Sequence, residues 1–313
     1  MTNPQAIGID FGGTSVKLAV VEGSELLTDV HRIPTQEFDG PDPLIAAITK
    51  RVKELEKEFP GVASIGVGVP GAVDYSSGVT YNLTNVRGWS DVPLRDKLAE
   101  MTGLPTVLDN DANCMAFAEW KFGAGQGFHN VVCVTLGTGV GGGLILNDSL
   151  YRGSMYAAGE IGQMSIDFDG VEGPYGNSGA LERYIGNRQI GEMAVQIYGE
   201  KGVAVPKDHS PEGLAVLARE GDSVAQEAWS MVAYYLGSNL MSTIYLLNPD
   251  AIVIGGGVSY AGELLFNPLK RRLEETLTKE CFDHLTVVNA RFGNTAGIIG
   301  CSALAAEMLS QSD

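Results

Sequence analysis

The stretches AIGIDFGGTSVKLAVVEG, residues 6–23, and NVVCVTLGTGVGGGLILND, residues 130–148, decide the predicted fold. In both, short apolar runs typical of strands flank a glycine cluster, which is the pattern of a β-hairpin. After each hairpin the chain alternates between helical and strand patterns. A hairpin followed by α/β units, occurring twice, predicts an α/β protein built as a duplicated two-lobe architecture with a central cleft.

The segments around the two hairpins define the expected lobes. The first lobe is expected over residues 1–115 and includes a helix opening at Asp42-Pro43 and the strand PTVLDNDAN, which breaks into a helix. The second, larger lobe is expected over residues 116–299, with long helices from about Leu181 to Tyr198 and from about Ser223 to Leu247. A closing helix begins near Ala296, and its part over residues 300–313 is expected to return to the first lobe. Because no Ser/Pro-rich or charged linker separates them, we expect the lobes to pack closely and share a hinge.

The composition excludes several classes of partner. The chain of 313 residues contains 21 Lys and Arg against 38 Asp and Glu, a net charge of −17. Nucleic acids and anionic membranes would repel such a protein, so neither is an expected partner. A phosphate ligand would have to be held locally, by backbone N–H groups and bound cations.

Cysteine usage and apolar runs point to the cytoplasm. Cys114, Cys133, Cys281 and Cys301 lie far apart among apolar or small residues, which favours buried, reduced thiols. The N-terminus has no basic region ahead of its first apolar run, so we expect no signal peptide. The uncharged run from Ala228 to Leu247 contains several polar residues and is interpreted as a buried helix, not a membrane span.

Three glycine clusters could hold phosphate or a nucleotide. The first hairpin places Asp10, Gly12, Gly13, Thr14 and Lys17 together, and successive glycine N–H groups can form an anion-binding nest. An Asp beside such a nest suggests a divalent cation between it and the phosphates. The other clusters are TLGTGVGGG (135–143) and Gly255–Gly257 after a strand. Each cluster could also be a purely structural turn, but three at strand ends together favour a nucleotide site.

Carboxylates in polar or glycine-rich settings are the candidates for chemistry. LDNDAN places Asp109, Asn110 and Asp111 at a strand end, where one Asp can face the cleft while the other supports the turn. Asp111 could be a general base or simply the N-cap of the next helix. Glu160 lies between glycines and Glu182 at a helix start. Both could be ordinary surface acids, or could bind sugar hydroxyls.

An ordered set of motifs covering nearly the whole chain resembles the ROK family of sugar kinases and repressors. The motifs, in chain order, are IGIDFGGTSVK (7–17), VGVPGAVD (67–74), NVRGW (85–89), LDNDAN (108–113), TLGTGVGGG (135–143), GEIGQ (159–163), GPYGNSGALE (173–182), LLNPDAIVIGGGVS (246–259) and GNTAGIIGCSALA (293–305). The resemblance implies the two-lobed actin-like ATPase and sugar kinase fold, which is ribonuclease H-like. It also implies a cytoplasmic homodimer that uses ATP and Mg²⁺ to phosphorylate a hexose.

The resemblance implies roles for particular residues, with Asp111 as the catalytic base. Sugar binding is implied for Gly71, Asn85, Asn110, Asp111, Glu160 and Glu182, with Gln163 keeping a bond that a histidine makes in relatives. Nucleotide binding is implied for Asp10, Gly12, Gly13, Thr14, Lys17, Thr138, Gly139, Gly256 and Gly257. Asp10 would face Mg²⁺ through water.

One departure from the family concerns zinc. Many members carry a histidine and three cysteines as zinc ligands, in a frame that survives here as Gly173, Tyr175, Gly176, Gly179, Ala180 and Glu182. All four ligands are replaced, so we expect no zinc site. Tyr175 packing and hydrogen bonds from Asn177 and Ser178 are expected to hold the loop instead.

Two alternatives to a glucose kinase stay open at this point. The acceptor could be fructose, mannose or an N-acetylhexosamine instead of glucose. The protein could also be a sugar-responsive, non-enzymatic repressor of the same family. A repressor would need a DNA-binding segment before IGIDFGG, where only about six residues stand. A net charge of −17 also argues against binding to DNA.

Overall fold

The computed structural model describes residues 4–83, 86–173 and 175–310. These residues form two larger β-sheets and a two-stranded sheet of Val73–Asp74 and Val79–Thr80, with helices around and between the larger sheets. The strands are β1 Gln5–Phe11, β2 Ser15–Glu22, β3 Glu25–Leu26, β4 His31–Pro34, β5 Val62–Val69, β6 Val73–Asp74, β7 Val79–Thr80, β8 Thr106–Asn110, β9 Val131–Leu136, β10 Val140–Ile145, β11 Leu150–Tyr151, β12 Ala251–Gly255 and β13 Thr286–Asn289. The α-helices are α1 Pro41–Glu58, α2 Leu94–Thr102, α3 Asp111–Phe122, α4 Glu182–Ile185, α5 Asn187–Glu200, α6 Pro211–Arg219, α7 Ser223–Leu247, α8 Glu263–Thr276, α9 Lys279–His284 and α10 Ala296–Ser310. The predicted α/β class is confirmed.

The two larger sheets repeat one topology. The first has the strand order β3-β2-β1-β5-β8, with β4 also paired to β2, and the second has the order β11-β10-β9-β12-β13. In each sheet an antiparallel hairpin (β1–β2 or β9–β10) is extended by two parallel strands. Both glycine hairpins predicted from the sequence are therefore present, and they occupy equivalent places in the two sheets.

Apolar periodicity explains how the helices pack on these sheets. In α1 the residues Leu44, Ile48, Val52 and Leu55 recur at helical spacing and are buried. In α7 the apolar residues include Trp229 and Leu236, which are also buried. The helix predicted over the uncharged run is thus a core helix, and within the described ranges no helix is long and apolar enough to cross a membrane.

Helices α3 and α10 lie between the two sheets. Helix α10 contacts β1, β5 and α3, and α3 also contacts β9 and β10. Glycines make this close packing possible, because a Cβ at Gly66 would lie 1.8 Å from the Cys301 carbonyl oxygen. A Cβ at Gly300 would likewise lie 1.7 Å from the Cys114 carbonyl oxygen. The closing helix thus joins the first sheet, while the lobe boundary expected at residue 115 falls inside α3.

The structure corrects several expected elements. The helix expected from Leu181 to Tyr198 is broken at Gly186, which has extended backbone angles (φ −66°, ψ 158°), into α4 and α5. Helix α6 was not predicted, although Ser210 caps it through the Gly213 N–H and Pro211 follows at the first position. Cys114, Cys133 and Cys301 are buried free thiols as expected, whereas Cys281 is only partly buried.

Candidate active site

Asp111 is the first residue of α3, at the carboxyl end of β8. The N-cap of this helix is Asn110, whose side-chain oxygen accepts hydrogen bonds from the Ala112 N–H at 2.9 Å and the Asn113 N–H at 3.2 Å. Since Asn110 does the capping, the Asp111 carboxylate is not needed as the N-cap. The capping alternative considered for Asp111 is therefore wrong.

The environment of Asp111 raises its pKa to about 7. Burial is the main cause, because it disfavours the charged carboxylate, and the negative charges of Asp10 and Glu160 add to it. The hydrogen bond from the Ala112 N–H acts in the opposite direction. A carboxyl group poised near neutral pH at the end of a strand has the property that a general base requires.

Two further carboxylates, those of Glu160 and Glu182, lie between Asp111 and the second hairpin. Burial and the charge of Glu182 raise the pKa of Glu160. Glu182 begins α4, and a Cβ at Gly139 would lie 2.9 Å from its Oε2 atom. Residues in or following both sheets therefore share one site, namely Asp10, Asp111, Glu160, Glu182 and Gly139.

The first hairpin brings a carboxylate, an amine and a tight turn together. Lys17 Nζ donates to Asp10 Oδ2 at 3.1 Å, and the two side chains are 22% and 15% exposed. Gly12 N–H closes the turn by donating to the Ser15 carbonyl at 3.0 Å. A Cβ at Gly13 would meet no heavy atom within 4 Å, so this face of the turn is open. The Asp10 carboxylate lies against Gly297 in the first turn of α10.

The second hairpin also has a tight turn that is closed by a backbone hydrogen bond. Gly137 N–H donates to the Gly139 carbonyl at 3.0 Å, and Asn187 N–H at the start of α5 donates to the Gly137 carbonyl at 2.8 Å. The backbone of Thr138 approaches Gly186, where a Cβ would lie 2.8 Å from the Thr138 carbonyl oxygen. A side chain at position 186, between α4 and α5, would thus collide with the hairpin that packs against it.

A cavity of about 620 Å³ opens beside the third glycine cluster. Gly256 has a positive φ of 83°, and a Cβ there would lie 2.2 Å from the Leu136 carbonyl oxygen, so only glycine fits. Gly257 lines the cavity. The other lining residues come from α6, α7 and their surroundings: Asn187, Ser210, Pro211, Glu212, Ala215, Val216, Arg219, Trp229, Val258, Tyr260, Ala261 and Asn294.

The remaining predicted sugar residues, Gly71, Gln163 and Asn85, lie in three separate segments of the chain. Gly71 has a positive φ of 82°, and its carbonyl accepts a hydrogen bond from Asn110 Nδ2 at 3.2 Å. Gln163 ends a short 3₁₀ helix, Ile161–Gln163, and its Oε1 is buried without a hydrogen-bond partner among the described residues. Asn239 of α7 supports this turn by donating to the Ile161 carbonyl at 3.3 Å. Asn85 lies outside the described residues.

The loop in which the four expected zinc ligands are replaced is held by Asn177 and not by Tyr175. Asn177 Nδ2 donates to the Gln163 carbonyl at 2.8 Å, while the Asn177 carbonyl accepts from the Gly173 N–H. Tyr175 is 80% exposed, so the expected packing of this side chain is wrong. Within the described ranges, no group of three or more His, Cys, Asp or Glu residues is placed to hold a metal ion.

Sequence reasoning missed Arg152, which joins the site from the segment after β11. Arg152 Nε donates to Asp109 Oδ2 at 2.7 Å, and the Asp109 side chain is only 4% exposed. Asp109 therefore supports the turn, as one carboxylate of LDNDAN was expected to do. No local pattern marks Arg152, because its partner is 43 residues away in the chain.

The sequence is similar to that of bacterial sugar kinases along nearly all of its length. Residues 6–308 match the ROK family. The chain is 35% identical to a glucokinase of Halalkalibacterium halodurans, over 96% of this chain and 94% of that protein. It is 33% identical to a glucokinase of Streptomyces coelicolor, over 96% of this chain and 97% of that protein.

The fold is similar to that of a solved glucokinase structure. A ROK family glucokinase from Streptomyces griseus, in complex with glucose and AMPPNP, superposes with a TM-score of 0.80 at 32% identity. The superposition covers 97% of this chain and 99% of the other. The similarity therefore includes both sheets and the helices between them.

Proposed function

We infer that this chain, which belongs to the ROK family, is an ATP-dependent sugar kinase that phosphorylates glucose to glucose 6-phosphate. Its two sheets of one topology are those of the actin-like ATPase fold. The glucokinases that match most of the chain support glucose as the acceptor. The observation that carries the proposal is the partly buried Asp111, with its pKa near 7, among Asp10, Glu160 and Glu182.

We propose that Asp111 is the general base. Its carboxylate accepts the proton of a sugar hydroxyl while the hydroxyl oxygen attacks the γ-phosphorus of ATP. The bond between that phosphorus and the oxygen bridging to the β-phosphate breaks, and ADP leaves. The raised pKa matches this role, because a base of ordinary aspartate strength would accept the proton only weakly.

Sugar binding is assigned to groups that surround Asp111. Asn110, Glu160 and Glu182 offer amide and carboxylate groups that can pair with several hydroxyls of a hexose. Gly71 fixes the Asn110 amide through its carbonyl. Gly71, Asn85 and Gln163 remain further proposed sugar residues, and Gln163 offers an unpartnered amide oxygen beside Glu160.

Phosphate binding is assigned to the two glycine hairpins. The turn at Gly12–Thr14, which the Gly12 N–H closes, and the turn at Thr138–Gly139 are the proposed phosphate-binding backbone segments, and Lys17 adds a positive charge beside the first. Asp10 supplies hard oxygen ligands of the type that Mg²⁺ prefers, and we propose that it would contact the ion through water. Mg²⁺, when bound, neutralises charge on the β- and γ-phosphates.

The cavity beside Gly256 and Gly257 is assigned to the adenosine of ATP. Its volume of about 620 Å³ is in the range of small-molecule sites. It lies past the carboxyl ends of β9 and β12, on the same side as the second hairpin. An adenosine there would lead its phosphates towards Thr138 and Gly139.

A panel of sugars in a coupled assay of ADP release tests the proposal. Glucose with ATP and Mg²⁺ should give the highest kcat/KM, and phosphorus NMR should identify the 6-phosphate. If no hexose stimulates ADP release from the folded protein, the kinase proposal is wrong. Gln163 stands where relatives have histidine, so fructose, mannose and N-acetylhexosamines belong in the panel.

We further propose a cytoplasmic homodimer. ATP and sugars to be phosphorylated for metabolism occur together in the cytoplasm, and three buried free thiols suit a reducing compartment. The dimer follows from the family resemblance alone. Light scattering coupled to size exclusion should give twice the monomer mass of 33.1 kDa.

A further inference from the structure

Asp109 is a buried carboxylate whose hydrogen bonds organise the start of α3. Its Oδ1 accepts from the Asn110 N–H at 2.8 Å and from Asn113 Nδ2 at 2.9 Å, while its Oδ2 accepts from Arg152. The first two bonds fix the residues on either side of Asp111. Any displacement of the Asp109 carboxylate would therefore be transmitted to Asp111.

Arg152 is held in one position from two directions. Its guanidinium bonds to Asp109 and lies over the ring of Tyr75, with its central carbon 3.9 Å from the ring centroid. Tyr75 also contacts Tyr156 with a centroid separation of 6.0 Å. The Arg152 side chain is 18% exposed, so it is largely removed from solvent. A planar guanidinium is suited to a carboxylate and an aromatic face at once.

Arg152 also begins the segment that delivers Glu160. Its carbonyl accepts a hydrogen bond from the Ala158 N–H at 3.0 Å, which closes residues 152–158 into a compact loop. Glu160 follows two residues later. One side chain thus connects the loop of Glu160, which follows β11 of the second sheet, to Asn110 at the end of β8 and Asp111 at the start of α3.

We propose that Arg152 is a positioning residue for the phosphoryl transfer. It fixes Asp111 through Asp109 and holds the Glu160 loop against the start of α3, so that base and sugar ligands keep one geometry. This rests on the proposed kinase function. A purely structural ion pair would stabilise the fold without setting the geometry or the charge around the base.

The pH dependence of activity separates these two roles. Arg152→Gln leaves the Asp109 carboxylate without its cation, which disfavours a second negative charge on nearby Asp111. Asp109→Asn leaves the Arg152 cation instead, which favours the charged form of Asp111. The other charges near Asp111, which are Asp10 with Lys17, Glu160 and Glu182, are the same in both variants.

The experiment measures kcat and the pH profile of kcat/KM for glucose in each variant. Arg152→Gln should lower kcat by about 100-fold, as expected for a displaced base. Its acid limb should move up by about 0.5 to 1 pH unit, and that of Asp109→Asn should move down by a similar amount. Arg188→Gln is the matched control, because Arg188 forms an exposed ion pair with Glu192 and should change neither quantity.

An activity-independent measurement accompanies the kinetics. In hydrogen exchange, the amides of Asn110, Ala112 and Asn113 should lose protection in Arg152→Gln and not in Arg188→Gln. Unmoved acid limbs with kcat within two-fold of wild type would overturn the proposal, as would unchanged protection. If Arg152→Gln does not fold, Arg152→Lys replaces it in the experiment. This variant keeps the positive charge, so it should lower kcat without moving the acid limb of the kcat/KM profile. Failure of the proposed function is distinguishable, because wild-type protein would then show no glucose kinase activity.

Discussion

At the scale of single residues, Asp111 combines a position and an environment that an ordinary helix-starting aspartate does not have. Asn110 takes over the capping bonds, and burial with neighbouring carboxylates raises the pKa of Asp111. Asp111→Asn should therefore lower kcat by about 10² to 10⁴, the usual contribution of a general base. Binding of ATP, measured by calorimetry, should be unchanged.

The same substitution should make the protein more stable above neutral pH. The folded-state pKa of about 7 lies above the ordinary aspartate value of 3.8, so ionisation is disfavoured in the folded protein. The stability that protonated Asp111 contributes is fully present below the ordinary value and is lost as the pH rises through about 7. At pH 8 we expect Asp111→Asn to raise the free energy of unfolding by about 1–3 kcal/mol. Urea unfolding at pH 8 measures this, and a decrease would contradict the assigned environment.

The activity should depend on pH through the same group. The base must be ionised to accept a proton, so kcat/KM for glucose should level off above the Asp111 pKa of about 7 and fall below it. The expected slope is about tenfold per pH unit on the acid side. An acid limb near pH 4 would mean that Asp111 titrates as an ordinary aspartate.

The candidate site could be predicted in part, for those residues that belong to a recognisable local motif. LDNDAN marked Asp111 as a candidate for either a general base or a helix N-cap, and the resemblance to the ROK family implied the role of base. Arg152 and Asn239 could not be predicted, since their partners Asp109 and Ile161 are remote in sequence. The packing expected for Tyr175 failed because an aromatic residue in a glycine-rich loop need not be buried.

At the scale of elements, the contact between α10 and the first sheet depends on glycines. A Cβ at Gly66 of β5 would lie 1.8 Å from the Cys301 carbonyl oxygen, which is backbone and cannot move alone. Gly66→Ala should therefore lower the free energy of unfolding by about 3 kcal/mol or more, through overpacking.

Thermal and urea unfolding of Gly66→Ala measure that loss, with Gly199→Ala as the matched control. Gly199 lies in α5, where a Cβ would meet no heavy atom within 4 Å. The control should be stabilised by up to about 1 kcal/mol, because alanine is the better helix former. Equal effects of the two substitutions would show that α10 is free to shift away from β5.

Elements with strong periodicity or a clear hairpin were predictable, and those shaped by neighbours were not. Helix α7 and both glycine hairpins follow from local pattern alone. The break lies at Gly186, which packs closely against the backbone of Thr138 in the second hairpin, and such a contact is not visible in local sequence. Helix α6 was missed because its nine residues give only two turns of periodic pattern.

At the scale of the whole molecule, we propose that the two sheets are the centres of two lobes that close on the sugar. The site takes Asp10 from β1 and Asp111 from the residue after β8 of the first sheet, and Glu160 and Glu182 from segments that follow β11 of the second, so closure would complete it. Saturating glucose should then reduce the radius of gyration measured by small-angle scattering. Galactitol, which has no ring, is a suitable control ligand, and a radius unchanged by glucose would contradict closure.

The duplicated architecture was predictable from sequence because a glycine cluster between two short apolar runs marks each hairpin. The way the halves join was not, since α3 and α10 pack through Gly300 and Cys114 across a long sequence distance. Contacts of this kind depend on three-dimensional shape. They leave only an isolated glycine as a trace in the sequence.

The placement of α10 has a consequence for synthesis on the ribosome. Cys301 Sγ donates to the Ile9 carbonyl at 3.2 Å across 292 residues, so the strand made first waits for one of the last helices to be translated. Until then β1 and β5 of the nascent chain expose the apolar surface that α10 covers. At about 5–20 residues per second, that interval is on the order of fifteen seconds to a minute. Apolar strand surface that stays uncovered for that long favours aggregation of the nascent chain.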